Sequence, residues 1–199
     1  EVAYAKAIVD KDNKEVIKIY DKAKRLIEVR EGNNVTKYSY YDNGNLKKVA
    51  LPNGYTEEYT YNKDNTLQML TNKNSSRVVV EKYIYAYDNA KNIISKEDKK
   101  GTTSYKYDSL NRLTKVTEPS GKIIEYTYDK EGNRYTETET VGTTKTKSIY
   151  SYDSSNRLTG INQTINGVLS NTTAYTYDKN GNTLSKTVTS SSTGAKETT

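Results

Sequence analysis

The side chains most able to do chemistry in this sequence are aspartates that directly follow a tyrosine. Carboxylates can bind Ca²⁺, and two of them facing each other across a sugar can hydrolyse a glycosidic bond. A calcium site needs several converging oxygens, whereas each copy of the pattern offers one constant carboxylate beside neutral Asn and Gly residues. The aspartates are Asp21, Asp42, Asp88, Asp108, Asp129, Asp153 and Asp178, and Asn62 takes the position in an eighth copy.

Equivalent positions of a repeat do not suit paired catalysis, because a general acid and its partner need different environments. The sequence also contains no Cys and no His, which excludes disulfides, thiolate chemistry, haem ligation and ordinary zinc sites. We therefore expect the aspartates to hold turns. The sequence predicts no catalytic residue, no metal site and no cofactor.

Tyrosines precede these acids at a regular spacing, and the chain contains 20 of them. The second tyrosine of each copy recurs at intervals of about 20 to 26 residues, which is typical of a repeat architecture. A slip of one residue at Tyr38–Tyr41 predicts a β-bulge. The second tyrosines are Tyr20, Tyr41, Tyr61, Tyr87, Tyr107, Tyr128, Tyr152 and Tyr177, and six copies carry an earlier tyrosine at Tyr59, Tyr85, Tyr105, Tyr126, Tyr150 or Tyr175.

Tyrosine rings beside lysines, as at Lys82–Tyr83 and Tyr105–Lys106, could stack on sugar rings or on nucleobases. Their repetition favours a structural role instead, in which each ring covers an apolar residue of the neighbouring strand. Proteins that bind nucleic acid usually concentrate positive charge along one face, so no specific nucleic-acid partner is predicted. Contact with carbohydrate stays open as a second interpretation.

Each copy has the pattern of one β-hairpin. In the polar turn after the motif, an Asp or Asn side chain can accept a main-chain N–H two residues on, and Gly or Asn supplies a positive φ. The chain then runs through Leu113–Thr117, turns at Glu118–Gly121 and returns along Lys122–Tyr128. Alternate residues of a strand share a face, so Tyr126 and Tyr128 point the same way. We predict antiparallel pairing of these strands, which a parallel β-solenoid, the alternative, would leave unpaired.

The turns that carry the motif hardly vary in length, so the differences in spacing must arise at the opposite hairpin tips. One edge of the sheet is thus predicted to be constant and the other variable. Variable loops on one edge are where a repeat protein usually places its contacts. The predicted variable tips are Arg30–Asn34, Leu51–Gly54, Thr71–Ser76, Lys96–Thr103, Glu118–Gly121, Thr140–Thr144 and Gln163–Val168.

Composition limits the hydrophobic core, because only 33% of the 199 residues are hydrophobic, Phe and Trp are absent and the mean hydropathy is −0.95. We predict an all-β fold in which tandem antiparallel β-hairpins form one long, curved, partly wet sheet. Residues 1–199 are expected to be a single array of about eight repeats cut from a longer one. Residues 190–199 are either a frayed tail or part of a ninth repeat. Val2–Val9 is predicted to form a hairpin with Val16–Tyr20 across Asp10–Asn13.

The net charge of +6 is spread along the chain. It is interpreted as a solvated surface first, and as attraction to anionic polymers second. No apolar run approaches the length of a membrane span, and strands such as Lys145–Tyr152 mix Lys, Ser and Thr with apolar residues. The sequence therefore predicts no insertion into a membrane.

The unit Tyr-x-Tyr-Asp-x-x-Gly-Asn-x-Leu, most complete at Tyr175–Leu184, resembles the YD repeat of Rhs proteins, which teneurins and the shell component of insecticidal toxin complexes also contain. The resemblance covers nearly the whole chain. It implies hairpins that join into an antiparallel sheet spiralling into a hollow shell, which in bacterial members commonly encloses a toxic C-terminal segment. Rhs-type shells end in an Asp-Pro-containing segment that precedes toxin release. Here neither Pro52 nor Pro119 follows Asp, so we expect neither that cleavage site nor the toxin in this stretch.

The resemblance implies a non-enzymatic function as a wall segment of a secreted or cell-surface bacterial shell or fibre that encloses or presents another module. The alternative is a binding module, in which the tyrosine face or the variable tips hold a glycan of the cell wall or cell surface. The predicted partners are adjacent repeats, or copies of the chain that associate through unpaired strand edges near Val2–Val9 and Thr183–Thr189.

Overall fold

The computed structural model describes residues 2–9 and 15–199 of the chain. All regular secondary structure in these residues is β-strand, so no helix among them is long and apolar enough to cross a membrane. The predicted hairpin tip at Asp10–Asn13 lies outside the described residues. The chain divides into two compact units, Glu1–Gly101 and Thr102–Thr199.

The strands follow each other through both units with short turns between them. The first unit contains β1 (Val2–Val9), β2 (Glu15–Asp21), β3 (Leu26–Glu31), β4 (Asn34–Tyr40), β5 (Leu46–Ala50), β6 (Thr56–Tyr61), β7 (Leu67–Lys73), β8 (Val79–Tyr87) and β9 (Ile93–Asp98). The second unit contains β10 (Gly101–Tyr107, whose first residue closes the first unit), β11 (Leu113–Thr117), β12 (Ile123–Tyr128), β13 (Arg134–Val141), β14 (Thr144–Tyr152), β15 (Leu158–Ile165), β16 (Val168–Tyr177), β17 (Thr183–Ser190) and β18 (Lys196–Thr198).

Within each unit, consecutive strands pair in antiparallel fashion, as β1 does with β2 and β11 with β12. The pairing of Leu113–Thr117 with the strand that returns from it is as predicted, with Lys115 opposite Glu125 and Val116 opposite Ile124. The all-β fold of tandem antiparallel hairpins is therefore confirmed, and the parallel β-solenoid is excluded.

The hairpin ends that carry the motif share one geometry, so the edge predicted to be constant is constant. The N–H at the aspartate position donates to the carbonyl four residues on, and the N–H three residues on donates back; for Asp108 both distances are 3.0 Å. The residue three places on has a positive φ, such as 59° at Asn111 and 89° at Gly44, which favours Asn or Gly. These aspartate turns begin at Asp21, Tyr41, Asn62, Asp88, Asp108, Asp129, Asp153 and Asp178.

The opposite hairpin tips vary as predicted, but several are shorter than predicted. β7 continues to Lys73 and β15 to Ile165, so the tips expected at Thr71–Ser76 and Gln163–Val168 are too long. In the same way, β9 and β10 take up most of Lys96–Thr103. Polar residues fill strands as well as loops here, so polarity does not mark where a strand ends. Two-residue turns occur at 32–33, 142–143 and 166–167, and five-residue loops at Leu51–Tyr55, Asn74–Val78 and Glu118–Lys122.

The two faces of the strands differ in composition. Directly opposite residues of antiparallel strands share a face, and Tyr105 lies opposite Val116, which lies opposite Ile124. Ile124 alternates with Tyr126 and Tyr128, so the motif tyrosines share one face within the unit, as predicted. We call it the tyrosine face. The other side, the threonine face, carries in the second unit Lys106, Lys115, Thr127, Thr136, Thr138 and Lys147.

The core is as thin as the composition predicts, since no side chain among the described residues is fully buried. Among those residues, the buried hydrophobic side chains are Ile19 and Val49, with 9% and 7% of their surface exposed. Val49 lies opposite Tyr38 on the tyrosine face, whereas Ile19 precedes Tyr20 and lies on the other face. Each unit is thus a sheet with two partly covered faces.

Residues 190–199 form the stub of a further hairpin. The N–H of Ser190 donates to the carbonyl of Ala195 at 2.9 Å, and β18 then pairs with β17. The prediction of an unpaired edge along Thr183–Thr189 is therefore wrong for its last residues, because Thr187 lies opposite Thr198 and Thr189 opposite Lys196.

Candidate functional site: the aspartate turns and the tyrosine face

The aspartate turns use their carboxylates to bind main-chain N–H groups. Asp108 Oδ1 accepts the N–H groups of Leu110 and Arg112, each at 2.9 Å, while Oδ2 accepts Arg112 Nε at 2.7 Å. The predicted hydrogen bond from two residues on is thus present, and a second one from four residues on joins it. Asp21 with Arg25 and Asp153 with Arg157 repeat this arrangement.

Other aspartate turns replace the arginine with an amide. Asn92, Asn133 and Asn182 donate their Nδ2 to the second carboxylate oxygen of the turn aspartate, at 3.0, 3.2 and 2.8 Å. The aspartates concerned are Asp88, Asp129 and Asp178. The turn therefore keeps one carboxylate and accepts either a cation or an amide four residues later.

In five of the turns, these contacts hold the pKa of the aspartate below its ordinary value. At Asp21, Asp108 and Asp153 the main cause is the N–H of the arginine four residues on. For Asp88 and Asp178, the side-chain amide of the asparagine in that position lowers the pKa most. Because the ionised carboxylate accepts these hydrogen bonds best, the turns are held most firmly when the aspartates are charged.

The second copy of the motif is displaced by one residue from the positions that the sequence predicts. β4 ends at Tyr40, and Tyr41 takes the turn position that aspartate holds elsewhere, with its N–H donating to the carbonyl of Asn45 at 2.9 Å. Asn43 Oδ1 accepts the N–H of Asn45 at 3.1 Å in place of a carboxylate. Asp42 therefore lies inside the loop and does not hold it.

Each second tyrosine, or Tyr40 in the displaced second copy, faces a β-bulge on the strand that follows its turn. Thr127 lies opposite Thr136 but Tyr128 lies opposite Arg134, so Tyr135 is the extra residue. The sequence predicts a bulge only at Tyr38–Tyr41, whereas the structure has one in every copy, because both partners of the bulge look like ordinary strand residues. The extra residues are Ile27, Lys47, Gln68, Ile94, Thr114, Tyr135, Thr159 and Leu184.

Five tyrosine hydroxyl groups connect one aspartate turn to the one before it. Tyr128, which directly precedes the turn of Asp129, donates to the carbonyl of Leu113 at 2.7 Å, and Leu113 directly follows the turn that begins at Asp108. The same bond joins Tyr40 to Leu26 at 2.7 Å, Tyr87 to Leu67 at 2.8 Å, Tyr152 to Arg134 at 2.9 Å and Tyr177 to Leu158 at 2.7 Å. In each case the acceptor is the first residue of the strand after the preceding aspartate turn.

The strand pairing explains why a side chain is needed at this place. The ladder between β11 and β12 ends at Lys115 opposite Glu125, so it does not extend to Leu113. The carbonyl of Leu113 therefore lacks a donor from the neighbouring strand, and a main-chain acceptor left unpaired in a part-buried position is costly. The hydroxyl of Tyr128 reaches across the gap and supplies that donor. Phenylalanine could fill the space but could not make this bond.

Arginines of the aspartate turns add a second connection between repeats. The guanidinium of Arg112 lies over the ring of Tyr128 at 4.5 Å from its centroid while it binds Asp108 at 2.7 Å. Arg25 with Tyr40 and Arg157 with Tyr177 have the same relation, each at 4.9 Å. A cation over an aromatic face is attracted by it. The chain of aspartate, arginine and next tyrosine thus joins neighbouring turns.

The turns that lack arginine are joined by amides in two places. Asn43 and Asn45 both donate Nδ2 to Asn65 Oδ1 at 2.9 Å, and Asn133 donates Nδ2 to Asn156 Oδ1 at 3.0 Å. The acceptors Asn65 and Asn156 hold the positive φ of the neighbouring turn. Asparagine therefore shapes its own turn and binds the next one.

The first tyrosines of the copies have mixed neighbours. Tyr59, Tyr105 and Tyr150 lie opposite Leu70, Val116 and Ile161, as predicted for rings that cover apolar residues. In the other copies the directly opposite residue is charged, since Tyr85 lies opposite Lys96, Tyr126 opposite Glu137 and Tyr175 opposite Lys186. Burial raises the pKa of Tyr126 above its ordinary value, so this ring is partly withdrawn from water all the same.

These interactions determine what the conserved geometry can do chemically. Among the described residues, no three His, Cys, Asp or Glu side chains are grouped so that they could hold a metal ion. Both carboxylate oxygens of Asp21, Asp108 and Asp153 accept hydrogen bonds within their own turns. The aspartate turns and second tyrosines therefore serve to close hairpins and to join them.

Comparison with known proteins relates part of the chain to a family of repeats. Residues 87–123 and 107–146 match the model of the RHS Repeat. The tRNA3(Ser)-specific nuclease WapA of Bacillus spizizenii is 32% identical over 121 residues, which are 60% of this chain and 5% of that protein. The chain thus spans a small part of that relative. The resemblance to YD/Rhs repeats is confirmed.

Solved structures resemble the chain over nearly its whole length. The Tc holotoxin pore of Photorhabdus luminescens matches 96% of this chain with a TM-score of 0.61 at 16% identity, over 13% of its own chain. The TcdB2–TccC3 complex matches 95% of this chain with a TM-score of 0.52 at 14% identity, over 14% of its own chain. At such low identity, the likeness shows that the fold is shared.

Proposed function

Because the chain is built from repeats of the YD/Rhs family, we propose that it forms part of the wall of a secreted bacterial shell or fibre, which encloses or presents another module. The task is structural and involves no turnover of a substrate. Its partners are further repeats of the same protein on either side, and its location is outside the cell or at the cell surface.

The observation that carries the proposal is that the repeated side chains bind the sheet itself. The hydroxyl of Tyr128 binds the carbonyl of Leu113, which directly follows the preceding aspartate turn, and Asp108 binds N–H groups of its own turn. A residue that recurs in order to satisfy main-chain groups contributes to a wall of any length, because each repeat supplies the contact that the next one needs. A site for one substrate would require a different set of residues at one place.

The similar proteins support the same function at a coarser level. One is a nuclease by name, and the chain corresponds to only 5% of it, so in this proposal such an activity belongs to another module. By their names, the structures with a similar fold are a Tc holotoxin pore and a complex of TcdB2 with TccC3. A wall segment is the part that a repeat sheet can contribute to such assemblies.

The proposal can be tested in the full-length protein with single cysteines, since this chain has none of its own. Lys186→Cys places a thiol on the tyrosine face, because Lys186 lies opposite Tyr175. Asn162→Cys places one on the threonine face, opposite Ile149. Both residues are exposed in the chain itself. In a closed wall, a bulky maleimide should label one face of the folded protein and reach the other only after denaturation. Equal labelling of both faces would contradict enclosure.

A second candidate function is contact with a glycan, and one recess favours it. Tyr41 and Tyr61 meet edge to face at 6.1 Å and line a recess of about 400 Å³ together with Asn43 and Asn45. Aromatic rings beside amides are suited to sugar rings and their hydroxyl groups. A glycan array should give a hit that Tyr61→Ala abolishes and Tyr135→Ala, at an exposed ring elsewhere, does not. A glycan array without any hit would contradict this second function and leave the structural function as the only candidate.

A further inference from the structure

The threonine face of the first unit carries a patch of positive charge. Its residues are far apart in the sequence and are brought together by strand pairing. Residues directly opposite each other on β4 to β8 form two rows across the strands. One row is Lys37, Ala50, Thr56, Lys73 and Val79, and the other is Ser39, Lys48, Glu58, Thr71 and Lys82. Each row carries two lysines. We call Lys37, Lys48, Lys73, Arg77 and Lys82 the basic patch.

A recess of about 600 Å³ lies in the middle of this patch. Lys48, Lys73 and Arg77 line it together with the hydroxyl-bearing Thr56 and Ser75. One wall is the close approach of two hairpin tips, since a Cβ added to Gly54 would lie 3.0 Å from the Cβ of Ser75. The recess is therefore built from packed loops and strands, and it presents ammonium, guanidinium and hydroxyl donors together.

One carboxylate, Glu58, lies among these cations and holds two of them in place. Lys48 Nζ lies 3.3 Å and Lys73 Nζ 2.5 Å from its two oxygens. The hydrogen bond from Lys73 is the main reason why the pKa of Glu58 lies below its ordinary value. Glu58 thus fixes the two ammonium groups at the recess but offsets only one of the positive charges there.

The remaining cations of the patch have no side-chain partner among the described residues. Lys37 and Lys82 are exposed, and Arg77 extends from the loop Asn74–Val78, where its own φ is 63°. Lys37 lies opposite Glu28 of β3, but Glu28 forms its ion pair with Arg30. The five cations of the patch therefore still outnumber the carboxylates beside them. Like charges on neighbouring strands repel each other, so an anionic ligand would relieve a repulsion that the fold leaves in place.

We infer that the basic patch binds a phosphate-bearing ligand centred on the recess between Lys48, Lys73 and Arg77. A phosphate group carries up to two charges and several acceptor oxygens, which fits a site with a net positive charge and a mixture of cationic and hydroxyl donors. Arginine suits phosphate in particular, because its planar fork can donate two parallel hydrogen bonds. The motif tyrosines lie on the opposite face, so the ligand is held by charge and hydrogen bonds and not by stacking.

This binding goes beyond the proposed role in a wall and does not depend on it. A calorimetric titration of the folded chain with tripolyphosphate tests it directly. The titration is made at low salt, because exposed charges are strongly screened at high salt. The variant to compare is Lys37→Gln, Arg77→Gln and Lys82→Gln combined, since these three side chains are exposed and do not take part in the ion pairs of Glu58. Its urea midpoint should equal that of the unchanged chain.

The matched control removes the same charge elsewhere, through Lys130→Gln, Lys179→Gln and Lys186→Gln combined, all at exposed positions. We expect the patch variant to bind tripolyphosphate about tenfold or more weakly and the control to bind as the unchanged chain does. Polyglutamate should bind less tightly than tripolyphosphate, while a short single-stranded DNA that binds through the same three residues would identify a phosphodiester as the source of the phosphate. Equal losses in both variants, or no binding of tripolyphosphate at millimolar concentration, would overturn the inference.

Discussion

At the scale of single residues, the aspartate and the tyrosine of the repeat form hydrogen bonds of opposite direction with the main chain. The turn aspartate accepts hydrogen bonds from N–H groups that the reversal leaves free, as Asp153 does from Ser155 and Arg157. The second tyrosine donates to a carbonyl that the end of the ladder leaves free, as Tyr177 does to Leu158. An acceptor-only side chain and a donor hydroxyl are each suited to one of these tasks. The motif is therefore defined by hydrogen-bonding capacity as much as by shape.

The tyrosine bond gives the first prediction. Tyr128→Phe keeps the ring and its contact with Arg112 but leaves the carbonyl of Leu113 without its donor. The free energy of unfolding should fall by about 1 kcal/mol, as for other single hydrogen bonds. Urea unfolding followed by circular dichroism measures it. Tyr135→Phe is the control, because Tyr135 is exposed at the bulge of the same copy, and an equal loss in both variants would contradict the role of the hydroxyl.

The turn aspartates predict a loss of stability in acid. The pKa of Asp108, Asp153 and Asp178 in the folded chain lies below the ordinary value of 3.8, so their contribution to stability is complete above that value and disappears as the pH falls through the lower folded values. The urea midpoint should be level between about pH 7 and about pH 5 and should decline below 3.8. The decline should be smaller when Asp108, Asp153 and Asp178 are all changed to Asn.

The fall of the urea midpoint in acid is compared between the triple variant and the unchanged chain. This comparison separates the titration of the three carboxylates from any change in stability at neutral pH. Asparagine can still accept the turn hydrogen bonds, as Asn74 does from Ser76 and Val78, but it does not titrate. Asp42→Asn serves as the control, because Asp42 does not hold its loop, and it should leave the acid-induced decline unchanged. An undiminished decline in the triple variant would show that other groups cause it.

The sequence predicts the aspartate contacts but not the tyrosine contacts. The aspartate and the N–H groups it binds are within four residues of each other, so the spacing of Asp, Asn and Gly predicts the turn. The tyrosine and its acceptor are further apart, and Tyr128 is 15 residues from Leu113. Their contact depends on where the ladder ends and on the bulge at Tyr135, which no local pattern marks. The slip at Tyr38–Tyr41 is visible in the sequence, but no local pattern shows that Tyr41 begins the turn.

At the scale of the hairpin, the two ends of each strand pair are governed by different rules. The aspartate turn must meet its neighbours through Arg–Tyr or Asn–Asn contacts, so its length is fixed. The tips at the other edge make fewer contacts of this kind, and both two-residue turns and five-residue loops occur there. Strand length was underestimated at that edge, because residues such as Thr71 and Gln163 are polar yet pair within strands.

Two glycines at equivalent places provide a test of how tips pack. Gly54 and Gly121 each donate their N–H to the first carbonyl of a five-residue loop, with φ of 82° and 83°. An alanine in this conformation costs about 1 to 2 kcal/mol at either position. At Gly54 the new Cβ would also lie 3.0 Å from Ser75, whereas at Gly121 it meets nothing within 4 Å.

Gly54→Ala should therefore lower the free energy of unfolding more than Gly121→Ala, by about a further 1 kcal/mol for the forced displacement of the neighbouring tip. Thermal and urea unfolding of the two variants measure the difference, and the second is the control for backbone strain alone. Gly54→Ala combined with Ser75→Gly should recover most of the extra loss. Equal effects of the two single variants would mean that the tips yield without cost.

At the scale of the whole chain, stability comes from many repeated local contacts within each unit and not from a central core. The described residues contain no fully buried side chain, and the buried hydrophobic ones are Ile19 and Val49. In such arrays the free energy of folding is approximately a sum over repeats and their interfaces. A strand that has one partner strand instead of two is then the least stable part of the array and the part most prone to pair with another chain.

The strand β1 is such a place, and it leads to the last prediction. All residues of Val2–Val9 are exposed, including Val2 at 61%, Val9 at 57% and Ile8 at 41%, and β1 pairs with β2 alone among the described strands of its unit. An apolar strand with one free edge is a template for another strand. We therefore expect the isolated chain to self-associate as its concentration rises, which light scattering would detect.

A single charge should weaken that association without disturbing the fold. Val9 lies opposite Glu15, so Val9→Lys gains a cross-strand ion pair with β2 while it places a lysine at the edge, where lysine opposes further pairing. Val168→Lys is the matched control, because it adds the same charge at a tip whose side chain is 73% exposed. The first variant should remain monomeric at concentrations where the control and the unchanged chain associate. A chain that stays monomeric throughout, with β1 protected from hydrogen exchange, would mean that this edge is already covered.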